Sequence, residues 1–257
     1  MIVSSRQTRR RAVVSRVRSS VAIGLITVLP FAASGAAAQN AGRIPFDTYT
    51  LPNGLQVVFS EDHSTPIVTV DIWYHVGSSN ERPRRSGFAH LFEHMMYQGS
   101  AHVAKRGHTD LITRAGGTYN GSTSEDRTNY FQTVPSNNLA RILWLEADRM
   151  RSLAVTQENF ENQRQVVKEE RRLRLDNVPY ARIAQEAFSL PFDSTTCFAY
   201  AHTVIGDMAD LDSARVEDVQ AFFNQFYLPS NATLTVVGDF DPAEARRLID
   251  QFYGDIP

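Results

Sequence analysis

The stretch Gly87 to Tyr97, GFAHLFEHMMY, constrains this chain more than any other, because a helical reading sorts it into two faces of different chemistry. Phe88, Leu91, Phe92, Met95 and Met96 gather on one side, and His90, Glu93, His94 and Tyr97 on the other. His90 and His94 stand at i and i+4, one turn apart, so both rings can reach one ion. Glu93 lies at the edge of the same face. A zinc hydrolase needs neutral imidazole ligands, an open position for water and a nearby carboxylate to take the water's proton. A single helical histidine is more often a surface or satisfied core residue. The weight therefore rests on the five-residue pattern His90-Leu91-Phe92-Glu93-His94, not on either ring alone.

A third ligand has to come from elsewhere. Gln157 to about Leu175 (QENFENQRQVVKEERRLRL) reads as a helix so charged that a solvated surface laced by i,i+4 pairs is its plain interpretation. On the wheel, Val166, Val167 and Leu173 define an apolar stripe, with Glu170 near its middle and Glu169 well off it. A carboxylate aimed into a packed face is costly unless it meets a cation or metal. Glu170 is the expected ligand and Glu169 the competitor.

The remaining patterns set the fold class. Residues 47–60 read as a strand hairpin around Pro52-Asn53-Gly54. Ile67 to Val76 alternates apolar and polar residues like a half-buried strand, and Thr118 to Thr123, Arg127 to Val134 and Thr233 to Val237 read as strands too. Leu139 to Arg151 and Val216 to Phe226 read as helices, and a last helix starts at Asp241-Pro242, with Asp as N-cap and Pro in the first turn. Strands interspersed with helices, without strict βα alternation, predict an α+β fold: a mostly antiparallel sheet with helices on one face.

The first 38 of the 257 residues form a separate expectation. Six arginines without an acid, an apolar run from Val21 to Ala33 and then Ala36-Ala37-Ala38 have the order of a secretory signal peptide. The run is shorter than the roughly 20 apolar residues of a membrane span and contains Gly24 and Pro30. Without it the chain has 20 basic and 28 acidic residues, a net charge of −8, which argues against nucleic acid or an anionic membrane as partner. Cys197 is the only cysteine, which excludes an internal disulfide. Export without disulfides fits a periplasmic or secreted protein of a bacterial envelope.

With Glu170 placed 76 residues after His94, in VVKEERR, the HLFEH string resembles the inverzincin signature of the pitrilysin, insulinase and mitochondrial-processing-peptidase family. Gly116-Gly117-Thr118-Tyr119-Asn120, Asp126-Arg127-Thr128-Asn129-Tyr130, Leu145 to Met150 and Val236 to Asp241 agree with it, so the resemblance runs from about Tyr49 to Pro257. It implies a metallopeptidase N-terminal domain over 39–257 that binds one Zn2+ through His90, His94 and Glu170, with Glu93 as general base. It further implies that extended peptide is bound as an added strand on an exposed edge. Thr118 to Thr123 is the candidate edge and Asn120 a candidate substrate contact, beside the equal alternative that Asn120 is a turn residue after the two glycines. The expected activity is hydrolysis of peptide bonds in peptides or unfolded polypeptides. The alternative is a non-catalytic structural or substrate-presenting subunit of a processing protease, against which the intact set His90, Glu93, His94 and Glu170 speaks.

The family pairs this domain with a similar one, so a second domain, subunit or copy is expected to complete the site. Two positions depart from the family pattern. Gln163 stands where an acidic residue is common, seven before the ligand glutamate, and cannot supply its charge. Gly121 stands where alanine is common, which is expected to loosen the strand. His202 is expected to be structural, and His63, His75, His102 and His108 show no ligand-like spacing.

Overall fold

The computed structural model describes residues 44–257, so the expected signal peptide lies outside the described residues. The Asn-Gly string turns the chain as its chemistry requires: Gly54 has φ +92°, and β1 (Asp47–Thr50) pairs antiparallel with β2 (Gln56–Glu61). β3 (Ile67–Tyr74) leads through a loop to α1 (Phe88–Met95) and α2 (Gly107–Arg114). β4 (Thr118–Thr123) and β5 (Thr128–Pro135) form a hairpin, followed by α3 (Leu139–Ser152) and α4 (Gln157–Arg171). A π-helical turn, Arg172–Asp176, extends α4. Then come α5 (Ala181–Glu186), α6 (Met208–Ser213), α7 (Val216–Phe226), β6 (Ala232–Gly238) and α8 (Pro242–Tyr253). Asp241 caps α8 as its position predicts, its carboxylate accepting the Glu244 N–H at 2.7 Å.

The strands build one sheet in the order β1-β2-β6-β3-β5-β4, antiparallel except for the β2–β6 pair. Strand alternation splits it into two faces. Val68, Val70, Ile72 and Tyr74 of β3 are buried with Leu234 and Val236 of β6 and Tyr130 and Val134 of β5. Ile67, Trp73, Phe131 and Val237 stay exposed on the other face. The helices cover the first face, which is the expected α+β arrangement, and the core lies between the two layers. Phe92 of α1 enters it and packs on Phe223 of α7 and on Tyr227, with ring centroids 5.6 and 4.1 Å away. α1 also lies against α4 and the edge strand β4, which brings the polar side of α1 to the rim of the sheet. Among the described residues no helix is long and apolar enough to cross a membrane.

Candidate metal centre

The two faces of α1 separate as the sequence predicts. Phe88, Leu91, Phe92 and Met95 are buried, while His90, Glu93 and His94 line a cleft of about 530 Å³ together with Glu170 of α4. The ligand atoms of His90, His94 and Glu170 all lie within 4.8 Å of one another. Glu170 Oε2 is 3.2 Å from His94 Nε2 and 3.7 Å from His90 Nε2. Ligands of a tetrahedral zinc ion lie roughly 3.3–3.6 Å apart, from bonds of about 2.0–2.2 Å. The donor set, two imidazoles and a carboxylate, therefore fits zinc in type, and both histidine–glutamate distances lie near that spacing. Burial pushes His90 down to about 4, which keeps its ring neutral as a ligand must be. The hydrogen bond from His94 holds the Glu170 carboxyl below its usual range.

Glu170 reaches the cleft by a different stripe from the expected one. Val166 and Leu173 are exposed, at 42% and 60%, so they do not form the packed face of α4. That face is Asn159, Phe160, Gln163 and Val167, and Glu170 continues it at the next i+3 step. Glu169 points away and pairs with Arg172 at 3.0 Å on the surface. Arg174, one turn beyond Glu170, binds Glu170 Oε1 at 2.6 Å and leaves Oε2 to the histidines. The string E-x-x-x-R carries this contact openly as an i,i+4 pair. Gln163 is buried and gives its amide to Asn162 Oδ1 at 2.7 Å.

Glu93 is half-buried beside the histidines, and burial raises its carboxyl, an effect opposed by a hydrogen bond from Thr123 of β4 at 2.5 Å. Burial thus moves Glu93 toward the range of a working general base. Asn120 lies within β4, not in the turn, which rules out the turn reading; the turn is made at Gly116, with φ +78°. Asn120 pairs with Phe131 and shares its outer face, while Tyr119, Gly121 and Thr123 face α1. The Asn120 amide oxygen accepts the Gly121 N–H at 2.9 Å. At Gly121 a Cβ would lie 3.0 Å from the Tyr97 hydroxyl and 3.2 Å from the Tyr130 ring, so an alanine there would require these side chains to shift slightly.

The sequence carries no signal for what holds the start of α1. Glu81, fully buried, accepts the N–H groups of Gly87 and Ala89, each at 2.8 Å, and so caps the helix from six residues upstream. His202 Nε2 lies 2.9 Å from the same carboxylate and its Nδ1 2.7 Å from the Phe198 carbonyl. Both ring nitrogens face oxygen atoms, an arrangement that favours the protonated ring. Burial works against that charge, and the hydrogen bond and charge of Glu81 outweigh it and raise His202. The structural expectation for His202 gains a partner. Arg171 of α4 binds the Gly206 carbonyl, and Gly206 lies against Gly87 so closely that neither has room for a Cβ. The segment around 202–206 therefore touches both metal-facing helices, and its Val204 and Ile205 line the cleft.

A family model described as insulinase (peptidase family M16) matches residues 56–186, and one described as the M16 inactive domain matches 213–257. The chain is 36% identical over 228 residues to the zinc protease PqqE of Helicobacter pylori, covering 88% of this chain and 50% of the relative. It is 29% identical to a probable mitochondrial-processing peptidase subunit beta of Arabidopsis thaliana, over 74% of this chain and 35% of that one. Among solved structures, a protease from Helicobacter pylori superposes with a TM-score of 0.77 at 34% identity, covering 82% of this chain and 50% of the other. The periplasmic protease PqqL of Escherichia coli gives 0.73 at 25% identity, over 82% and 24%. The chain spans half or less of the length of these relatives.

Proposed function

The chain belongs to the insulinase peptidase family (M16), and from that premise we propose that it is the metal-bearing half of a zinc endopeptidase acting on peptides or unfolded polypeptides. The observation that carries the reading is the convergence of His90, His94 and Glu170 from two helices on one point, with Glu93 beside it. Zinc held there supplies a Lewis acid that polarises a peptide carbonyl and makes water acidic near neutral pH. The chain's own residues do the rest. Glu93 takes the proton from water as its oxygen bonds to the carbonyl carbon, then delivers that proton to the amide nitrogen, and the C–N bond breaks in this second step to release the amine. Arg174 holds Oε1 of Glu170 and so leaves Oε2 turned toward the histidines. The open edge of β4 pairs with the backbone of an extended substrate, and Asn120 lies at that edge as a substrate contact.

The proposal covers 39–257 as the N-terminal metallopeptidase domain with one zinc ion. Relatives about twice as long support a second homologous domain, subunit or copy that closes over the cleft. The periplasmic location of PqqL supports export of this protein behind the expected signal peptide. The test is metal analysis and cleavage of a quenched peptide by the completed protein and its Glu93→Gln variant. Zinc retained with hydrolysis lost by more than about 100-fold is the expected result. A variant that keeps full activity would falsify the role of Glu93, and a wild type without zinc would remove the metal assignment.

A further inference from the structure

We propose that Thr123 is a positioning residue for Glu93, its hydroxyl fixing the carboxylate at the rim of the cleft; the inference rests on the peptidase reading above. Strand parity supplies the first support. Thr123 pairs with Thr128, and Gly121 with Tyr130, both buried under the helices, so the Thr123 side chain points at α1 and away from the open sheet face. The second support is the hydrogen-bond inventory. The Thr123 hydroxyl donates to Glu93 Oε2 at 2.5 Å, and no other side chain or amide bonds this carboxylate among the described residues. One oxygen is anchored and Oε1 is left to take a proton. A glutamate otherwise samples several rotamers, and a base must rest within hydrogen-bond reach of the proton it takes.

The third support is placement. Thr123 is the last residue of β4, the strand whose other edge is free. The segment that receives a peptide backbone therefore also grips the base. A peptide paired along β4 and the carboxylate that acts on it are referenced to the same piece of chain, which fixes their relative position to within the play of one strand. A misplacement of about 1 Å in such a pair costs roughly 100-fold in rate.

The experiment uses the protein completed by its second half, as wild type, Thr123→Val, Thr123→Ser and Glu93→Gln. Valine keeps the shape and removes the donor; serine keeps the donor and removes a methyl. The expected result is that Thr123→Val keeps its zinc content, melting temperature and KM within about two-fold, while kcat falls roughly 10–100-fold and Thr123→Ser recovers most of it. An unchanged kcat in Thr123→Val overturns the inference, as does a serine variant no better than valine. Loss of zinc or of the folding transition in Thr123→Val, with serine normal, assigns the hydroxyl to structure and also overturns it. The Glu93→Gln arm separates the two readings. Turnover that survives Glu93→Gln removes the peptidase mechanism itself, whereas turnover lost there and untouched by Thr123→Val removes only the role of Thr123.

Discussion

Two of the histidine–glutamate clusters among the described residues invite comparison, and only one of them has the spacing of a metal site. In the first, His108 of α2 sits 3.5 Å from Glu146 of α3, and Arg149 binds both oxygens of the same carboxylate at 2.6 and 2.8 Å. All three side chains are sealed, and Arg149 also lies over the rings of Tyr97 and Tyr130. Burial pushes Glu146 up, but the charge of Arg149 outweighs it and holds the carboxyl below its usual range. In the second, His90, His94 and Glu170 face an open cleft, and the arginine at Glu170 is 74% exposed and touches only the oxygen turned away from the histidines. The residue types are the same. What differs is where the countercharge comes from: a buried guanidinium holds both oxygens of the first carboxylate, whereas in the second an exposed one holds Oε1 alone and leaves Oε2 turned to the histidines.

The sharpest way to break this contrast is to remove one carboxylate from each cluster. Glu146→Ala leaves Arg149 charged, buried and unpaired, and should cost about 3–5 kcal/mol in urea unfolding. Glu170→Ala should leave metal-free stability within about 1 kcal/mol, since its remaining arginine contact is solvent-exposed. Zinc linkage supplies the next largest effect. Zinc at 100 times its Kd should stabilise the wild type by ~2.7 kcal/mol and Glu170→Ala by far less, a difference that calorimetry with and without chelator reads directly. If Glu146→Ala instead abolished zinc binding and left stability intact, the two clusters would have been assigned the wrong way round.

Smaller effects sharpen the boundary where the clusters meet, since Tyr97 lies between Arg149 and β4. Gly121→Ala should cost about 1 kcal/mol through the Tyr97 hydroxyl, and Tyr97→Phe in the same chain should recover most of it, giving a non-zero coupling in a double-mutant cycle. The smallest effect belongs to the competitor carboxylate. Glu169→Gln should change stability by less than about 0.5 kcal/mol and leave zinc affinity alone, because its ion pair with Arg172 is exposed.

The same contrast shows what a sequence makes legible. The α1 motif was readable because its apolar and polar residues both follow the helical period, and burial agrees residue by residue. In the sequence Glu170 is singled out by a stripe through Val166 and Leu173, which are exposed in the fold; the packed side that leads to it runs through Phe160, Gln163 and Val167. β4 and α7 have the expected bounds, whereas no sequence pattern marks α2, α5 and α6. Each is eight residues or shorter, with two buried side chains or fewer, too little to express a period. Thr123 reaches Glu93 of α1 across 30 residues and His202 reaches the capping Glu81 across 121, and no local pattern encodes a contact between elements that only the fold brings together. The parallel pairing of β2 with β6 escaped for the same reason.

The free edge of β4 carries a hazard as well as a use. A row of unsatisfied amides and carbonyls invites any passing strand, including one from another copy of the same protein, and chains commonly blunt such rows. Here the blunting is compositional: Thr118, Tyr119, Asn120, Gly121, Ser122 and Thr123 contain no aliphatic side chain to reward self-association, and Asn120 already occupies one amide. An edge this polar holds a guest weakly by its own means. It favours a guest that is gripped somewhere else at the same time, and so protects the protein from itself while remaining open to a chain that also reaches the histidines.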